Sequence, residues 1–368
     1  MKKIAVSLLA VSLVVFFAVP AMAEVTPYGS MRLLTGWHTL DYAASGMDDD
    51  SDMYWELSDI SRFGAKFKTG DISGHVELGI SGATDGTKNN NTYDRLLYGT
   101  WDFGGGSLMV GQNYPPYTMI SAQIAPKVRL GGNPGDYNAE NGFVGYGALW
   151  EARKPQVRLT LNNGFYVALL RPESGEPDAA VADGDVDTSI PKLCVGYDYK
   201  TEGLSLNGGV AYNTYNYEAG TFDETVDSYL IYVDGKMPLG MVDLQASIHY
   251  GQNLTDFGLW NREDAAQATV VGNDVEDSTS YGGYVQVAIP VDPAKISLGY
   301  AYTQSDRDLA APNDEADGQQ SYFVNAKIPI ADTFFIVPEF TYYDQMDDDA
   351  GQEENDAWFL GLLWRMDF

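Results

Sequence analysis

The sequence Trp358-Phe-Leu-Gly-Leu-Leu-Trp-Arg-Met-Asp-Phe368 closes the chain and alternates between two kinds of side chain. The first face is apolar throughout: Trp358, Leu360, Leu362, Trp364, Met366 and Phe368. The second face is mixed: Phe359, Gly361, Leu363, Arg365 and Asp367. A period of two indicates a β-strand whose faces lie on opposite sides of a sheet. Aromatic residues at both ends of such a strand are typical of a transmembrane β-sheet, whereas a soluble edge strand of this kind would invite aggregation.

The same alternation recurs along the chain, most clearly over residues 204–213, 242–250 and 295–303. Beyond residue 23 no apolar run approaches the roughly 20 residues that a membrane-spanning helix needs. A closed barrel is the other structure that satisfies every backbone group in lipid. The sequence therefore predicts an all-β fold, a transmembrane antiparallel β-barrel.

The first 23 residues have the order of a secretory signal peptide. Lys2 and Lys3 precede an apolar run over residues 4–19, and Ala21-Met22-Ala23 has the pattern of a cleavage site. The alternative is a membrane anchor, but the apolar run is short for that role. We expect a signal peptide at 1–23 and one barrel domain at 24–368, because no linker divides the rest.

Turn signals set the expected number of strands. Seven short turns contain Gly, Asn, Asp or Pro, the residues that tight hairpins need; they lie at 69–71, 104–106, 162–164, 201–203, 238–240, 291–293 and 330–332. Eight longer connections lie roughly at 39–56, 82–92, 115–153, 172–189, 214–226, 252–278, 305–318 and 345–355. Together they predict about 16 strands, with short periplasmic turns and long outer loops.

The chain is strongly acidic, with 22 Lys and Arg against 52 Asp and Glu and a net charge of −30. This balance excludes nucleic acid as a partner. The acidic runs fall in the predicted outer loops, for example at 48–52, 183–187 and 347–349. We interpret them as solvated loops and expect no cofactor, because no EF-hand pattern with its closing Glu follows. Divalent cations bridging these loops to lipopolysaccharide phosphates are a hypothesis.

Three segments resemble the general porins of Gram-negative bacteria. They are Ser61–Lys68, Tyr98–Gln112 through a glycine turn, and the pair formed by Tyr28-Gly29-Ser30 and the terminal Phe368. The resemblance implies a sixteen-stranded barrel in the outer membrane, a homotrimer, and a third outer loop folded inward to narrow the pore. It also implies passive diffusion of small hydrophilic solutes and ions, and recognition of the terminal Phe by the barrel-assembly machinery.

Strand parity identifies candidate pore residues, because apolar side chains that face lipid leave their neighbours in the lumen. This parity places Arg32, Arg62, Lys66 and Arg158 inside. We expect Arg95 there too, although Leu97 and Trp101 share its parity. The third loop, 115–153, carries four more candidates of mixed charge: Lys127, Arg129, Asp136 and Glu140.

The basic wall facing this loop resembles the porin eyelet, where a transverse field orients dipolar solutes. The alternative is that these are ordinary solvated lumen residues. Lys127 and Arg129 depart from the usual acidic loop, which favours a second hypothesis, a porin selective for phosphate or dicarboxylate anions.

Two further classes of function compete with a channel. A hydrolase would need a Ser–His or Asp–His constellation. The chain has only His38, His75 and His249 and no G-x-S-x-G motif, so we expect no enzyme. A structural or adhesive barrel with a plugged lumen is the third alternative.

Overall fold

A computed structural model describes residues 24–43, 49–58, 60–80, 92–125, 145–174, 177–179, 184–220, 222–259, 264–272, 274–307, 309 and 315–368. The predicted signal peptide at 1–23 lies outside these residues. The four candidates of the third loop, Lys127, Arg129, Asp136 and Glu140, lie outside them as well.

The fold is all-β and consists of one closed antiparallel barrel of sixteen strands. The strands are β1 Glu24–Asp41, β2 Asp50–Leu57 with Arg62–Thr69, β3 Ile72–Ile80, β4 Thr92–Asp102, β5 Gly106–Asn113, β6 Lys154–Leu161, β7 Phe165–Leu170, β8 Asp185–Asp187 with Lys192–Lys200, β9 Ser205–Ala219, β10 Phe222–Leu239, β11 Val242–Gln252, β12 Ser278–Val291, β13 Ala294–Arg307, β14 Asp317–Ala331, β15 Phe334–Gln345 and β16 Asp356–Asp367.

Two of these strands are interrupted, but each occupies one position in the barrel. Both pieces of β2 pair with β1, the first with residues 33–40 and the second with residues 24–30. The hydroxyl of Ser61 lies in the gap, where it accepts a hydrogen bond from the Arg32 amide (3.0 Å) and donates one to the Arg32 carbonyl (3.1 Å). In β8, both pieces pair with β9.

The barrel closes between its first and last strands. β1 pairs with β16 from Ser30 opposite Asp367 to Asp41 opposite Asp356. The terminal Phe368 extends this ladder, because its amide and carbonyl exchange hydrogen bonds with Gly29 at 3.0 and 2.7 Å. Closure pairs the first and last strands of the sheet with each other, as a sheet in lipid requires. The prediction of a closed antiparallel β-barrel is confirmed.

Seven short turns join strands at the end where β1 starts and β16 stops, as predicted. One predicted long loop is wrong. Residues 214–226 are not a loop, since β9 and β10 continue to Ala219 and Phe222 and are joined by residues 220 and 221 alone. Gly220 adopts φ +66° in this turn, a conformation that costs glycine little.

The physical reason is burial beyond the predicted strand end. Tyr215, Tyr217 and Ala219 alternate with polar residues and are 8% exposed or less. They form a cluster with Phe222 and with Val270 of the connection after β11. That connection contributes two strands of a small separate sheet, formed by Asp178–Ala179, Thr269–Val271 and Asp274–Glu276.

The hydrophobic core lies inside the barrel, where the β5–β6 and β11–β12 connections pack against the wall. Tyr117 and Leu149 from the β5–β6 connection pack with Leu254 and Phe257 from the β11–β12 connection, and all four are fully buried. They lie against inward side chains of the wall such as Tyr166, Leu170, Cys194, Leu230 and Tyr232. Outward side chains form an exposed apolar surface instead, with Trp37 56% and Trp101 52% exposed. In the part of the chain that the structure describes, no helix is long and apolar enough to cross a membrane.

Candidate functional site: a basic cavity inside the barrel

A cavity of about 1190 Å³ remains in the barrel beside this core. Its walls come from β1, β2, β4, β5, β6, β8, β9 and β12 to β16, and from the two described ends of the β5–β6 connection. Eight of the described residues that line it are basic and one, Asp198, is acidic. The basic ones are Arg32, Arg62, Arg95, Arg153, Arg158, Lys295, Lys327 and Arg365. The balance inside is thus opposite to that of the whole chain, where acidic residues outnumber basic ones 52 to 22.

Arg95 faces the cavity because β4 contains a bulge. The register between β3 and β4 shifts between Glu77 and Leu78, so that Leu96 and Asp94 face consecutive residues and Arg95 is the extra one. A bulge re-aims the side chains on either side of it. Leu97 is therefore 54% exposed on the outside while Arg95 is 1% exposed inside.

The Arg95 guanidinium is held in one position by three groups. Its Nε donates to Oε1 of Glu77 at 2.7 Å, and its two terminal nitrogens donate to the hydroxyls of Tyr93 (3.2 Å) and Tyr114 (2.9 Å). The same carboxylate accepts a hydrogen bond from Tyr28 at 2.6 Å. Such a network gives a buried charge the partners it needs.

Glu77 also reaches a second arginine, because Arg62 Nε lies 3.6 Å from Oε2 of Glu77. His75 lies next to this network, with Nε2 2.6 Å from the hydroxyl of Tyr28 and Nδ1 3.2 Å from that of Tyr98. One carboxylate thus lies between two guanidinium groups. It neutralises half of their charge, and the wall remains positive.

The structure brings four of the nine predicted site residues together around the cavity: Arg32, Arg62, Arg95 and Arg158. Lys66 is exposed and lies opposite His75 in the β2–β3 ladder, outside the cavity lining. The other four are the loop candidates at 127–140, outside the described residues.

A line of basic residues crosses the seam where the barrel closes, and we call it the basic belt: Lys295, Lys327, Arg365, Arg32 and Arg62. In the strand registers Lys295 lies directly opposite Lys327, and Arg365 directly opposite Arg32. On β15, Phe335 lies opposite Arg365, and its ring centroid is 4.1 Å from Nζ of Lys327. Like charges directly opposite each other in a sheet are destabilising, so this arrangement favours an anion in the cavity.

The β5–β6 connection is fastened to the lumen-facing side of the wall. The Glu339 carboxylate of β15 accepts the amides of Ile124 (2.7 and 2.9 Å) and Ala125 (2.7 Å). Asn325 of β14 donates to the Ala122 carbonyl at 2.8 Å, and Tyr284 of β12 donates to the Ile120 carbonyl at 3.0 Å. These contacts join residues 120–125 to β12, β14 and β15.

A second set of contacts fixes the other end of this connection. The buried Glu151 carboxylate lies 2.5 Å from Nζ of Lys192 and accepts a hydrogen bond from Tyr117. Lys192 also donates to the carbonyl of Phe257. Burial, together with the nearby Glu151, raises the pKa of Tyr117 well above its usual range. This network joins the connections after β5 and β11 to the wall.

The sequence analysis did not identify five residues of this site: Arg153, Lys295, Lys327, Arg365 and Glu339. Strand parity could have identified Lys295 and Arg365, because each alternates with outward apolar residues in a clear strand. Arg153 has no such signal, since it precedes β6 in an irregular segment. The role of Glu339 could not be predicted from the neighbouring sequence, because the amides that donate to it, those of Ile124 and Ala125, are 215 and 214 residues away.

Within the described ranges, no group of three or more His, Cys, Asp or Glu side chains is arranged to hold a metal ion. Several acidic residues of the outer loops, such as Asp48, Asp183 and Asp314, lie outside those ranges. Divalent cations at these loops therefore stay a prediction.

Comparison with known proteins agrees with this geometry. The model of the Gram-negative porin family matches residues 10–362, and no curated protein matches the sequence. The chain is similar in structure to the outer membrane channel DcaP of Acinetobacter baumannii, at 18% identity and a TM-score of 0.70 over 95% of this chain and 98% of that one.

Two further solved structures are similar at lower scores. An anion-selective porin from Comamonas acidovorans is 14% identical, with a TM-score of 0.58 over 94% of this chain and all of that one. The trimer form of OmpT of Vibrio cholerae is 16% identical, with a TM-score of 0.52 over 94% and 99%. The family match over nearly the whole chain, the closed barrel and its cavity together show that the chain belongs to the Gram-negative porin family and forms an outer-membrane channel for passive diffusion.

Proposed function

We propose that this porin prefers anions among the small hydrophilic solutes that it passes. The main observation in support is the composition of the cavity lining, which contains eight basic residues and one acidic residue among those described. The porin from Comamonas acidovorans, which is described as anion-selective, has a similar fold and supports the same reading. Phosphate and small dicarboxylates are then the solute classes that match the wall.

Several of these cations are free to act on a passing solute. Arg32, Arg153, Arg158 and Lys327 form no salt bridge with any carboxylate that the structure describes. A narrow aqueous gap with low-dielectric walls of one sign raises the local concentration of counter-ions. Anions should therefore enter more readily than cations of equal size.

We further propose that residues 115–153 form the constriction. The contacts of Ile124 and Ala125 with Glu339 support this role, since they join the segment that follows β5 to the distant strand β15. In this proposal Arg32, Arg62, Arg95 and Arg158 form the positive side of the eyelet. Lys127, Arg129, Asp136 and Glu140 then contribute charges of both signs from the loop.

The test is the permeability ratio of chloride to potassium, measured from reversal potentials in planar bilayers under a salt gradient. We expect Arg32→Gln and Arg158→Gln each to lower this ratio by about twofold, because one lumen charge is lost. Arg171→Gln is the matched control, since Arg171 is exposed and outside the cavity lining. Equal ratios in all four proteins would refute the assignment of the wall, and absence of conductance would refute the channel.

We also propose a homotrimer, and OmpT of Vibrio cholerae, which occurs in a trimer form, supports it. The remaining partners are inferred from residues: lipopolysaccharide, through divalent cations at the acidic loops, and the barrel-assembly machinery, through the strand that ends at Phe368. A purely monomeric species in native mass spectrometry would contradict the trimer. Unchanged heat stability on chelation of divalent cations would contradict the cation bridges.

A further inference from the structure

The cavity combines the basic belt with apolar side chains, which is unusual for the polar lumen of a wide barrel. Phe335 lines the cavity within the belt, between Lys327 and Arg365. Ile120 lines it from the β5–β6 connection and is 41% exposed. Ile60, partly exposed in the gap of β2, lines it as well.

Ile120 is held in this exposed position by its backbone. Its carbonyl accepts a hydrogen bond from Tyr284 at 3.0 Å, and the neighbouring Ala122 amide donates to Gln286 at 2.7 Å. An apolar side chain fixed in water has a cost, which an apolar surface brought against it would remove. The position of Ile120 is thus suited to contact with a solute.

The belt supplies the complementary charge. Lys327 has no described carboxylate partner, and its ammonium group lies over the Phe335 ring. Arg365 pairs only with Asp367 among the described acids, at 2.8 Å, and faces Arg32 across the ladder. The positive charge and the apolar surface therefore lie side by side in one cavity.

We propose that the cavity binds organic carboxylates that carry an apolar body, in preference to small hydrophilic anions. The carboxylate would lie against Lys327, Arg365 and Arg32, and the apolar body against Phe335 and Ile120. This inference rests on the proposed anion preference and adds to it the class of solute that dwells longest in the channel.

The experiment measures block of the chloride current through single channels by three probes: sodium benzoate, sodium acetate and inorganic phosphate. We expect the half-blocking concentration of benzoate to be about tenfold lower than that of acetate or phosphate, because the phenyl ring loses contact with water. This comparison uses the unmodified protein and does not depend on the folding of a variant.

A variant then locates the site. Ile120→Asn should raise the half-blocking concentration of benzoate about fivefold, while those of acetate and phosphate stay unchanged. Val271→Asn is the control, since Val271 is similarly exposed (47%) but lies in the connection after β11, outside the cavity lining.

The outcomes separate the two proposals. A channel that prefers potassium to chloride would refute the anion preference itself. A channel that prefers chloride but is blocked equally by benzoate and acetate would refute only the binding of apolar carboxylates. A change in phosphate block equal to that in benzoate block in Ile120→Asn would also refute it, because the effect would then be one of charge or pore width.

Discussion

At the scale of single residues, the cavity is organised around one carboxylate. Glu77 holds Arg95 at 2.7 Å and Arg62 at 3.6 Å, and it accepts a hydrogen bond from Tyr28. Glu77 thus fixes both guanidinium groups on the wall. Its own negative charge reduces the positive potential of the cavity.

Glu77→Gln should therefore raise the permeability ratio of chloride to potassium by about two- to threefold, because the positive charge of Arg62 and Arg95 is no longer offset. It should also lower the free energy of unfolding by about 1–3 kcal/mol, since hydrogen bonds to a charged acceptor are lost. Reversal potentials and thermal unfolding in detergent measure the two effects. Glu202→Gln, in an exposed short turn, is the control, and a fall in the ratio would contradict the role of Glu77.

Arg32 presents the opposite case. It lies directly opposite Arg365 in the β1–β16 ladder, and its Nε is hydrogen-bonded to the hydroxyl of Ser30 at 3.0 Å. We expect Arg32→Gln to stabilise the barrel by about 0.2–1 kcal/mol, because a cross-strand repulsion is relieved. Thermal unfolding at low salt measures this. A destabilised variant would show that Arg32 serves the fold and is not retained for the solute.

Alternation in the sequence is sufficient to place Arg32, Arg62 and Arg158, because side-chain parity in a strand is fixed by local geometry. Strict alternation would put Arg95 on the same face as Leu97, but the bulge in β4 separates the two, and Arg95 lies inside as expected. Alternation cannot identify Arg153, because this residue lies outside the strands. It cannot identify Glu339 either, because the amide that Glu339 binds is distant in the sequence.

At the scale of the elements, Glu339 anchors the β5–β6 connection to β15. Its two oxygens accept three hydrogen bonds from the amides of Ile124 and Ala125, and also bonds from Asn325 and Thr341, both at 2.8 Å. A carboxylate is suited to this position because it has only acceptors.

Glu339→Gln places an amide donor where an acceptor is needed, so the connection should detach from the wall. We expect larger single-channel conductance and more open-channel noise, with a loss of about 1–3 kcal/mol in local stability. Glu224→Gln, exposed at the end of the β9–β10 hairpin, is the control. Conductance equal to that of the unmodified channel would show that this segment does not limit the pore.

The β11–β12 connection contains a buried acid with a pH-dependent cost. Burial raises the pKa of Asp256 to about 6, although its carboxylate accepts hydrogen bonds from Tyr215 (2.6 Å) and from the amide of Ala268 (2.7 Å). A raised pKa means that the folded form binds the proton more tightly than the unfolded form. The stability of this connection should thus be greatest below about pH 4 and fall until about pH 6.

Hydrogen exchange of residues 253–259 and of the Ala268 amide measures this dependence. Protection should decrease between pH 4 and pH 6 after correction for the intrinsic exchange rate, and Asp256→Asn should remove the decrease. Asp277→Asn is the matched control, because Asp277 also contacts this connection, through Asn253 at 2.6 Å. Protection that rises with pH would contradict the assignment.

The strands themselves follow from the sequence more fully than the connections do. Seven short turns and the seam between β1 and β16 agree with turn residues and with the alternation around Phe368. The 214–226 segment does not, because Tyr215, Tyr217 and Ala219 pack against a small sheet that local composition does not reveal. Packing inside the barrel joins residues far apart in the chain, and no local pattern records it.

At the scale of the whole molecule, the charge of the cavity lining is opposite in sign to the net charge of the chain. The acidic excess of the chain coexists with a cavity whose described lining is basic by eight residues to one. Charges on the lumen side cost little, whereas on the lipid side at the midplane they cost about 2–4 kcal/mol. Basic residues can therefore lie in the lumen at little cost, and their number there supports an anionic solute.

The most direct test of this account is the reversal potential of the unmodified channel in a planar bilayer separating concentrated from dilute potassium chloride. We expect a potential of the sign that chloride permeation produces, and a smaller one when the salt on both sides is raised, because salt screens the wall charges. A potential of the sign that potassium permeation produces would contradict it.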